Sequence, residues 1–211
     1  MVLKDYVVEH MEEGIYPWVV LEYLAISNDV GGGNHFHLTS VTPSLLASLP
    51  KELDDPAVVH ATSQEVISLP TVKEAAAAGR VCLLDPAAPV DLSPEDAQVF
   101  DWFVFGGILG DDPPRDRTGE LRKYGFQGRR LGPFQMTTDT AIRVTKIVIE
   151  DQVELNDIEY VDNPELKWNK QESTQMPFRY VKDKTTGEPI MPKGMREHIR
   201  KDTERAFDDF L

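Results

Sequence analysis

Cysteine is almost missing: Cys82 stands alone among 211 residues, so no disulfide can form within the chain. Basic residues are scarce too. Twenty-two Lys and Arg face 36 Asp and Glu, a formal charge of −14 at pH 7, which repels phosphate backbones and attracts cations. A nucleic-acid partner is disfavoured and a basic protein favoured, although acidity of this size also serves solubility alone. Long apolar runs are absent. The most apolar early stretch, Ile15–Ile26, carries Glu22 and is too short to span a bilayer. No basic, apolar leader is legible, and Cys82 sits in the apolar run Val81–Leu84 as an ordinary buried thiol. The expectation is a reducing, cytoplasmic setting and no membrane.

Several chemistries lack their residues. There is no G-x-x-x-x-G-K-[ST] and no G-x-S-x-G. Gly106-Gly107-Ile108-Leu109-Gly110 follows an apolar run as a dinucleotide loop would, but it lacks the G-x-G start. Asp111-Asp112-Pro113-Pro114 then places carboxylates and prolines where a pyrophosphate needs a free helix N-terminus. His35 and His37 would share one face of a strand with no third ligand marked near them, and His10, His60 and His198 are scattered. No metal centre is expected.

What is present is an alternation of apolar strands and helical patterns. Tyr6–Val8 reads as a strand; Pro17 then opens a helix over Trp18–Asn28, ended by Gly31-Gly32-Gly33. Phe36–Val41 reads as a strand, Pro43–Leu49 as a short helix, and Thr71–Ala78 as a helix closed by Gly79. Val81–Leu84 is a strand ended by Asp85-Pro86, and Ser93 caps a helix start at Pro94-Glu95-Asp96. Trp102–Phe105 is a strand ended by Gly106-Gly107. Thr118–Tyr124 is a weak helix, Arg129–Leu131 a short strand and Thr138–Glu150 a strong helix. This order predicts an α/β fold, with a mostly parallel sheet and helices on both faces. Val81–Leu84 and Trp102–Phe105 are apolar throughout, as strands buried on both faces should be. Ala141, Ile142, Val144, Ile147, Val148 and Ile149 surround most of Thr138–Glu150, so that helix should be largely buried. Past Glu150 the composition turns polar. Strand-like pieces stand at Ile158–Val161 and Phe178–Val181, a turn at Lys184–Gly187, and an amphipathic helix carries Met195, Ile199, Ala206 and Phe210. With 41% hydrophobic residues the chain can form one core over 1–150, with 151–211 as an appendage packed on it.

Three loops fall at the carboxyl ends of buried strands: Leu84-Asp85-Pro86, Phe105 through Asp111, and Leu131 through Thr138. Ligands of open α/β sheets bind outside such ends, and glycines there let backbone approach a ligand closely. Leu84, Leu109, Leu131 and Met136 can sandwich an uncharged aromatic base. The expected ligand is apolar, hydrogen-bonding and not anionic overall. One such loop is explained by turns alone; three together favour a ligand.

The segments FVFGGILGDDPPRDRT (Phe103–Thr118) and RRLGPFQMTTDTAIRVTKIVI (Arg129–Ile149) resemble the SPOUT methyltransferases. VVEHMEEG (Val7–Gly14), WVVLEY (Trp18–Tyr23), RVCLLDP (Arg80–Pro86) and QMPFRYV (Gln175–Val181) extend the resemblance over nearly the whole chain, Leu38–Val72 being least similar. They bring it nearest to the branch holding the fungal enzyme that methylates an arginine of a small-subunit ribosomal protein. The resemblance implies a C-terminal trefoil knot in 1–150, holding S-adenosylmethionine mainly by backbone groups of the three loops. It also implies methyl transfer, by a monomer, to an arginine of a basic ribosomal protein. On that reading the cofactor residues are Leu84, Asp85, Pro86, Phe105, Gly106, Gly107, Leu109, Gly110, Leu131, Gly132, Gln135, Met136, Thr137 and Thr138. Nucleic-acid-modifying relatives begin the last helix with a Ser-Leu-Asn-like segment. Here it reads Thr137-Thr138-Asp139-Thr140, so their RNA-directed side chains do not carry over.

An arginine nucleophile keeps its proton up to a pKa above about 12, so carboxylates must hold the guanidinium fork and accept a proton as the bond forms. The expected catalytic carboxylates are Glu12 and Glu13, in the loop after the first strand, and Asp111; Glu9 and Asp112 are expected to touch substrate. Arg115 and Arg117 either pair with Asp112 and Asp116 or shape the cofactor loop. Two other readings stay open: an RNA methyltransferase, against which the charge weighs, and a non-catalytic acidic module that binds a basic ribosomal protein.

Overall fold

A computed structural model describes residues 3–31, 33–107, 118–169 and 172–208. Six strands form one sheet: β1 (Asp5–Glu9), β2 (His35–Thr39), β3 (His60–Ala61), β4 (Val81–Leu84), β5 (Trp102–Gly106) and β6 (Gln127–Arg129). Their order is β3-β2-β1-β5-β4-β6, and every neighbouring pair is parallel. The helices are α1 (Pro17–Val30), α2 (Pro43–Leu46), α3 (Pro70–Ala77), α4 (Thr118–Arg122), α5 (Thr138–Ile149) and α6 (Met195–Asp208).

Alternation along β1 sends Tyr6 and Val8 to one face and Val7 to the other. On the first face they join Phe103, Cys82, Tyr23 and Ile26 of α1, and Ile142 and Val148 of α5. On the second, Val7 meets Val104, Leu83, Val72 of α3 and Leu121 of α4. Both faces are thus covered, as the apolar runs required. Fully buried side chains such as Phe103 and Ile142 each contribute about 1.5–3 kcal/mol by leaving water. Burial of α5 also holds, and it extends to Thr138, Asp139, Thr140 and Thr145, which hydropathy does not indicate.

Several boundaries differ from the sequence reading. The strand expected over Phe36–Val41 ends at Thr39, because Ser40 adopts a left-handed φ of 55° and turns the chain. The strand expected at Arg129–Leu131 lies at Gln127–Arg129: its register is set by pairing with Cys82–Leu84, not by apolar residues of its own. The helix started by Ser93 is a 3-10 turn, Pro94–Gln98, closed by a reciprocal Ser93–Asp96 capping box. Beyond α5, β7 (Tyr160–Asp162) pairs antiparallel with β10 (Arg179–Val181), and β8 (Glu165–Lys167) with β9 (Ser173–Gln175). Leu155, Ile158 and Val181 enter the main core, so this segment packs on the sheet layer. The turn at 184–187 is held by Asp183 Oδ1, which accepts the Thr185 and Thr186 amides at 2.8 Å. Phe210 lies outside the described residues.

Candidate functional site

A cavity of about 360 Å³ opens where β4, β5 and the chain beyond β6 reach their carboxyl ends. Leu84, Asp85 and Pro86 form one wall and Phe105 with Gly106 a second; the third runs from Leu131 to Met136, with Thr138 and Ala141 of α5 behind it. Local chemistry places these walls. The Asp85 amide extends the β4–β6 ladder by one bond, to Arg129 O at 2.8 Å, and Pro86 then has no amide to continue it. Gly132 turns the third loop at φ 83°, in left-handed space that favours glycine. The carboxylate at the cavity, Asp85, is held bidentately by Arg122 at 2.6 and 2.7 Å and accepts the Ala87 amide at 2.9 Å. Those bonds hold its pKa below the usual carboxylate range. Among the described residues no Lys or Arg lines the cavity. Apolar walls, backbone donors and a neutralised carboxylate suit a ligand with a planar apolar part and no net negative charge.

The C-terminal segment clamps the third wall. The Arg179 amide donates to Gln135 O at 2.8 Å. Its guanidinium lies 3.9 Å from the centre of the Phe134 ring and 4.4 Å from that of Tyr160, and Asp162 fixes it bidentately at 2.6 and 2.8 Å. A loop that would otherwise be free is thereby tied to β7 and β10.

A second cavity, of about 270 Å³, lies on the other side of the chain at Thr137. Met136 and Thr138 line the first cavity and Thr137 the second, so a single stretch of backbone divides them. Trp18, Phe178 and Tyr180 wall the second cavity, and Glu22 and Asp139 border it. Burial is the largest cause pushing both carboxyls upward in pKa. The Asp139 charge adds to it for Glu22, while the Thr137 hydroxyl and Arg143 oppose it for Asp139.

The expected site residues divide clearly. Leu84, Asp85, Pro86, Phe105, Gly106, Leu131, Gly132, Gln135, Met136 and Thr138 come together around the first cavity, joined by Thr118, Pro133, Phe134 and Ala141. Thr137 faces the second cavity, and Gly107 is buried beside the first without lining it. Leu109, Gly110, Asp111, Asp112, Arg115, Asp116 and Arg117 lie outside the described residues. Glu9, expected to touch substrate, stands at the strand end paired in register with Gly106 of the first cavity. It is 2% exposed, and its oxygens accept the Thr39 and Ser40 hydroxyls and the Val66 amide; it ties β1 to its neighbours. Glu12 is half-buried and Glu13 exposed, in a loop braced by His10, whose Nε2 lies 3.1 Å from Gly14 O; neither lines the two cavities. Sequence reasoning missed Glu22, because it stands inside an apolar helix pattern, and treated Asp139 only as part of a helix start. The histidine reading is also amended. Asp5 Oδ1 stands 3.1 Å from His35 Nδ1 and 2.8 Å from His37 Nε2, at the amino ends of the strands, since parallel register sets Asp5 beside His35.

Known proteins sharpen this geometry. The family profile described as "Protein arginine N-methyltransferase SFM1-like" matches residues 5–206. The chain is 45% identical to "Protein arginine N-methyltransferase SFM1" of Saccharomyces cerevisiae, over 98% of this chain and 99% of that one. The crystal structure of the yeast arginine methyltransferase SFM1 complexed with SAM superposes with a TM-score of 0.85 at 48% identity, covering 96% of this chain and 92% of that one. The complex with SAH gives 0.83 at 48% identity, covering 92% and 94%.

Proposed function

The chain belongs to the SFM1-like protein arginine N-methyltransferases, and from that membership we propose that it methylates an arginine side chain of a basic protein with S-adenosylmethionine held in the first cavity. The observation that carries this reading is the cavity itself: three strand-end loops converge on a site with apolar walls, a neutralised Asp85 and no lining cation among the described residues. That donor set fits a cofactor with an aromatic base and a sulfonium, and it does not fit a phosphate-rich one. When bound, S-adenosylmethionine supplies the transferable methyl group.

The residues of the chain do the rest. Leu84, Leu131 and Met136 offer apolar contact to a base. Backbone around Phe105–Gly107 and Gly132–Gln135 offers donors and acceptors, and Arg179 holds Phe134 and Gln135 in place. Leu109 and Gly110 belong to the same proposed cofactor set. Glu12, Glu13 and Asp111 stay proposed as the catalytic carboxylates, and Glu9 and Asp112 as substrate contacts, in a chain whose charge of −14 favours a cationic substrate.

The resemblance of Phe103–Thr118 and Arg129–Ile149 further supports a small-subunit ribosomal protein as substrate, a trefoil knot within 1–150, and cytoplasmic action as a monomer. In that arrangement the C-terminal segment packs on the helices of one face, α6 on α1 and β10 on α5. Among the described residues no helix is long and apolar enough to cross a membrane.

Transfer of labelled methyl groups to purified small-subunit ribosomal proteins and to ribosomal RNA tests the proposal. Label on arginine in protein is expected. Label confined to RNA would replace this reading with RNA methylation, and no heat of S-adenosylmethionine binding would leave only an acidic binding module.

A further inference from the structure

His35, His37 and His60 meet beside Asp5 at the amino edge of the sheet, and strand register brings them there. Asp5 of β1 stands opposite His35 of β2, and His37 stands opposite His60 of β3. Residues two apart on a strand share a face, so all four side chains rise on the side where Val7 packs. The third ligand that the sequence lacks beside His35 and His37 is thus supplied by the parallel sheet.

The spacing is close to that of a coordination shell. Asp5 Oδ1 lies 3.1 Å from His35 Nδ1 and 2.8 Å from His37 Nε2, and Asp5, His35 and His37 each offer a donor atom within 4.8 Å of the others. A tetrahedral ion held at about 2.0–2.1 Å keeps its donors about 3.3 Å apart and the centres of its imidazole rings about 5 Å apart. The ring centres here are 5.3 Å apart for His37 and His60, 5.6 Å for His35 and His60, and 6.1 Å for His35 and His37. Small side-chain rotations close such a shell, and His60 is exposed, so its ring can turn inward as a fourth ligand. Hydrogen bonds to Asp5 use one nitrogen of His35 and one of His37 and do not account for His60; a shared ion does. The cluster is wet on one side, where the His35 side chain is 46% exposed and an ion can enter. On the other side Trp102 covers His37, with ring centres 5.0 Å apart.

We propose that Asp5, His35, His37 and His60 bind one divalent transition-metal ion, with Zn2+ the best match. Nitrogen-rich donor sets favour such ions over Mg2+ and Ca2+, which take oxygen. Three imidazoles and one carboxylate complete a closed, four-coordinate shell. Such a shell leaves no open position for a substrate, and it lies at the opposite edge of the sheet from the first cavity, so the ion is structural and takes no part in methyl transfer. It ties three strands together. β3 is an edge strand of two residues, His60–Ala61, with little ladder of its own, and the ion fastens it to β1 and β2.

Full-length protein freed of metal by a chelator is titrated with Zn2+ by calorimetry, and its melting temperature is followed with and without the ion. One Zn2+ should bind per chain, and the melting temperature should rise with its concentration. His37→Asn and Asp5→Asn should each weaken binding by about 100-fold, the upper end of what losing even an outer partner of a metal ligand costs. The exposed pair His35→Asn with His60→Asn supplies the test if either of those variants does not fold. His198→Ala, which removes the histidine paired with Asp202 on α6, should bind Zn2+ as wild type does. Binding that survives the cluster variants places the ion elsewhere and overturns the proposal. So does the absence of both binding heat and a change in melting temperature.

Discussion

Replacing Arg179 by Leu keeps the apolar stem and removes the fork that holds the third cofactor wall. The interactions lost can be counted. The bidentate pair with Asp162 is about half exposed on the carboxylate side, at 42%, and such pairs contribute about 0.2–1 kcal/mol. Contacts with the Phe134 and Tyr160 rings contribute about 0.5–1 kcal/mol each at exposed sites. The amide bond from residue 179 to Gln135 O survives, because any residue but proline donates it. The Tyr160 contact steadies β7 rather than this loop, so the loop from Leu131 to Met136 should lose about 1–2 kcal/mol of ordering from the Asp162 pair and the Phe134 contact. Since about 1.4 kcal/mol is tenfold in affinity, S-adenosylmethionine should bind some 5–30 times more weakly by titration calorimetry. Asp162→Asn should show a smaller part of the same loss. The double variant should fall short of the sum, because both changes break one clamp. An unchanged Kd in Arg179→Leu would refute the idea that the C-terminal segment orders the cofactor site.

Other expectations follow from the same geometry. Gly132→Ala forces a side chain into left-handed backbone at φ 83°; cofactor affinity should drop by about tenfold, from about 1–2 kcal/mol of strain, and calorimetry reads it directly. Glu9→Ala removes the acceptor of the buried Val66 amide and of the Thr39 and Ser40 hydroxyls, so chemical denaturation should show a loss of about 1–3 kcal/mol. Native Cys82, fully buried with its thiol pKa pushed far up by desolvation, should resist iodoacetamide until the protein unfolds; rapid native labelling would contradict the packing. The pH dependence of stability has two opposite parts. Asp85, Asp101, which accepts from the Arg80 guanidinium at 2.7 Å, and Asp162 are held low by their guanidinium partners, so their stabilisation is full above an unfolded pKa of about 3.9 and is lost as pH falls through the lower folded values. Glu22 and Asp139 are held high, so they disfavour the fold increasingly as pH rises from about 4 toward those raised values. The melting temperature of Glu22→Gln should accordingly gain on wild type as pH rises, and a constant difference would speak against buried, competing carboxyls.

The α/β class, the parallel sheet and the three strand-end loops were legible because each rests on local chemistry. Val81–Leu84 and Trp102–Phe105 are apolar on both faces, which only a sheet covered twice can use. Asp85-Pro86, Gly106-Gly107 and Gly132 end or bend the backbone wherever they stand. Those loops could therefore be placed at one edge, and the cavity is lined by ten of the residues expected for it, Leu84 through Thr138. What was illegible depends on partners far along the chain. Gln127–Arg129 has no strand pattern and is a strand only because β4 offers it a ladder. Glu9 looks like any acidic loop residue until Thr39, Ser40 and Val66 converge on it. Glu22 reads as one polar residue in an apolar helix, and Asp139 as a helix-start acid. Packing of α1 against α5 makes them a buried pair, since a carboxyl's chemistry is set by its surroundings rather than by its neighbours in sequence. Sequence alone thus determined the apolar central strands, where the backbone must turn, and the sign of the net charge, because these depend on short-range sterics and composition. Only the tertiary structure decided which carboxylates are spent in structure and which remain to meet a ligand, because desolvation and hydrogen bonding exist only once distant segments are in contact.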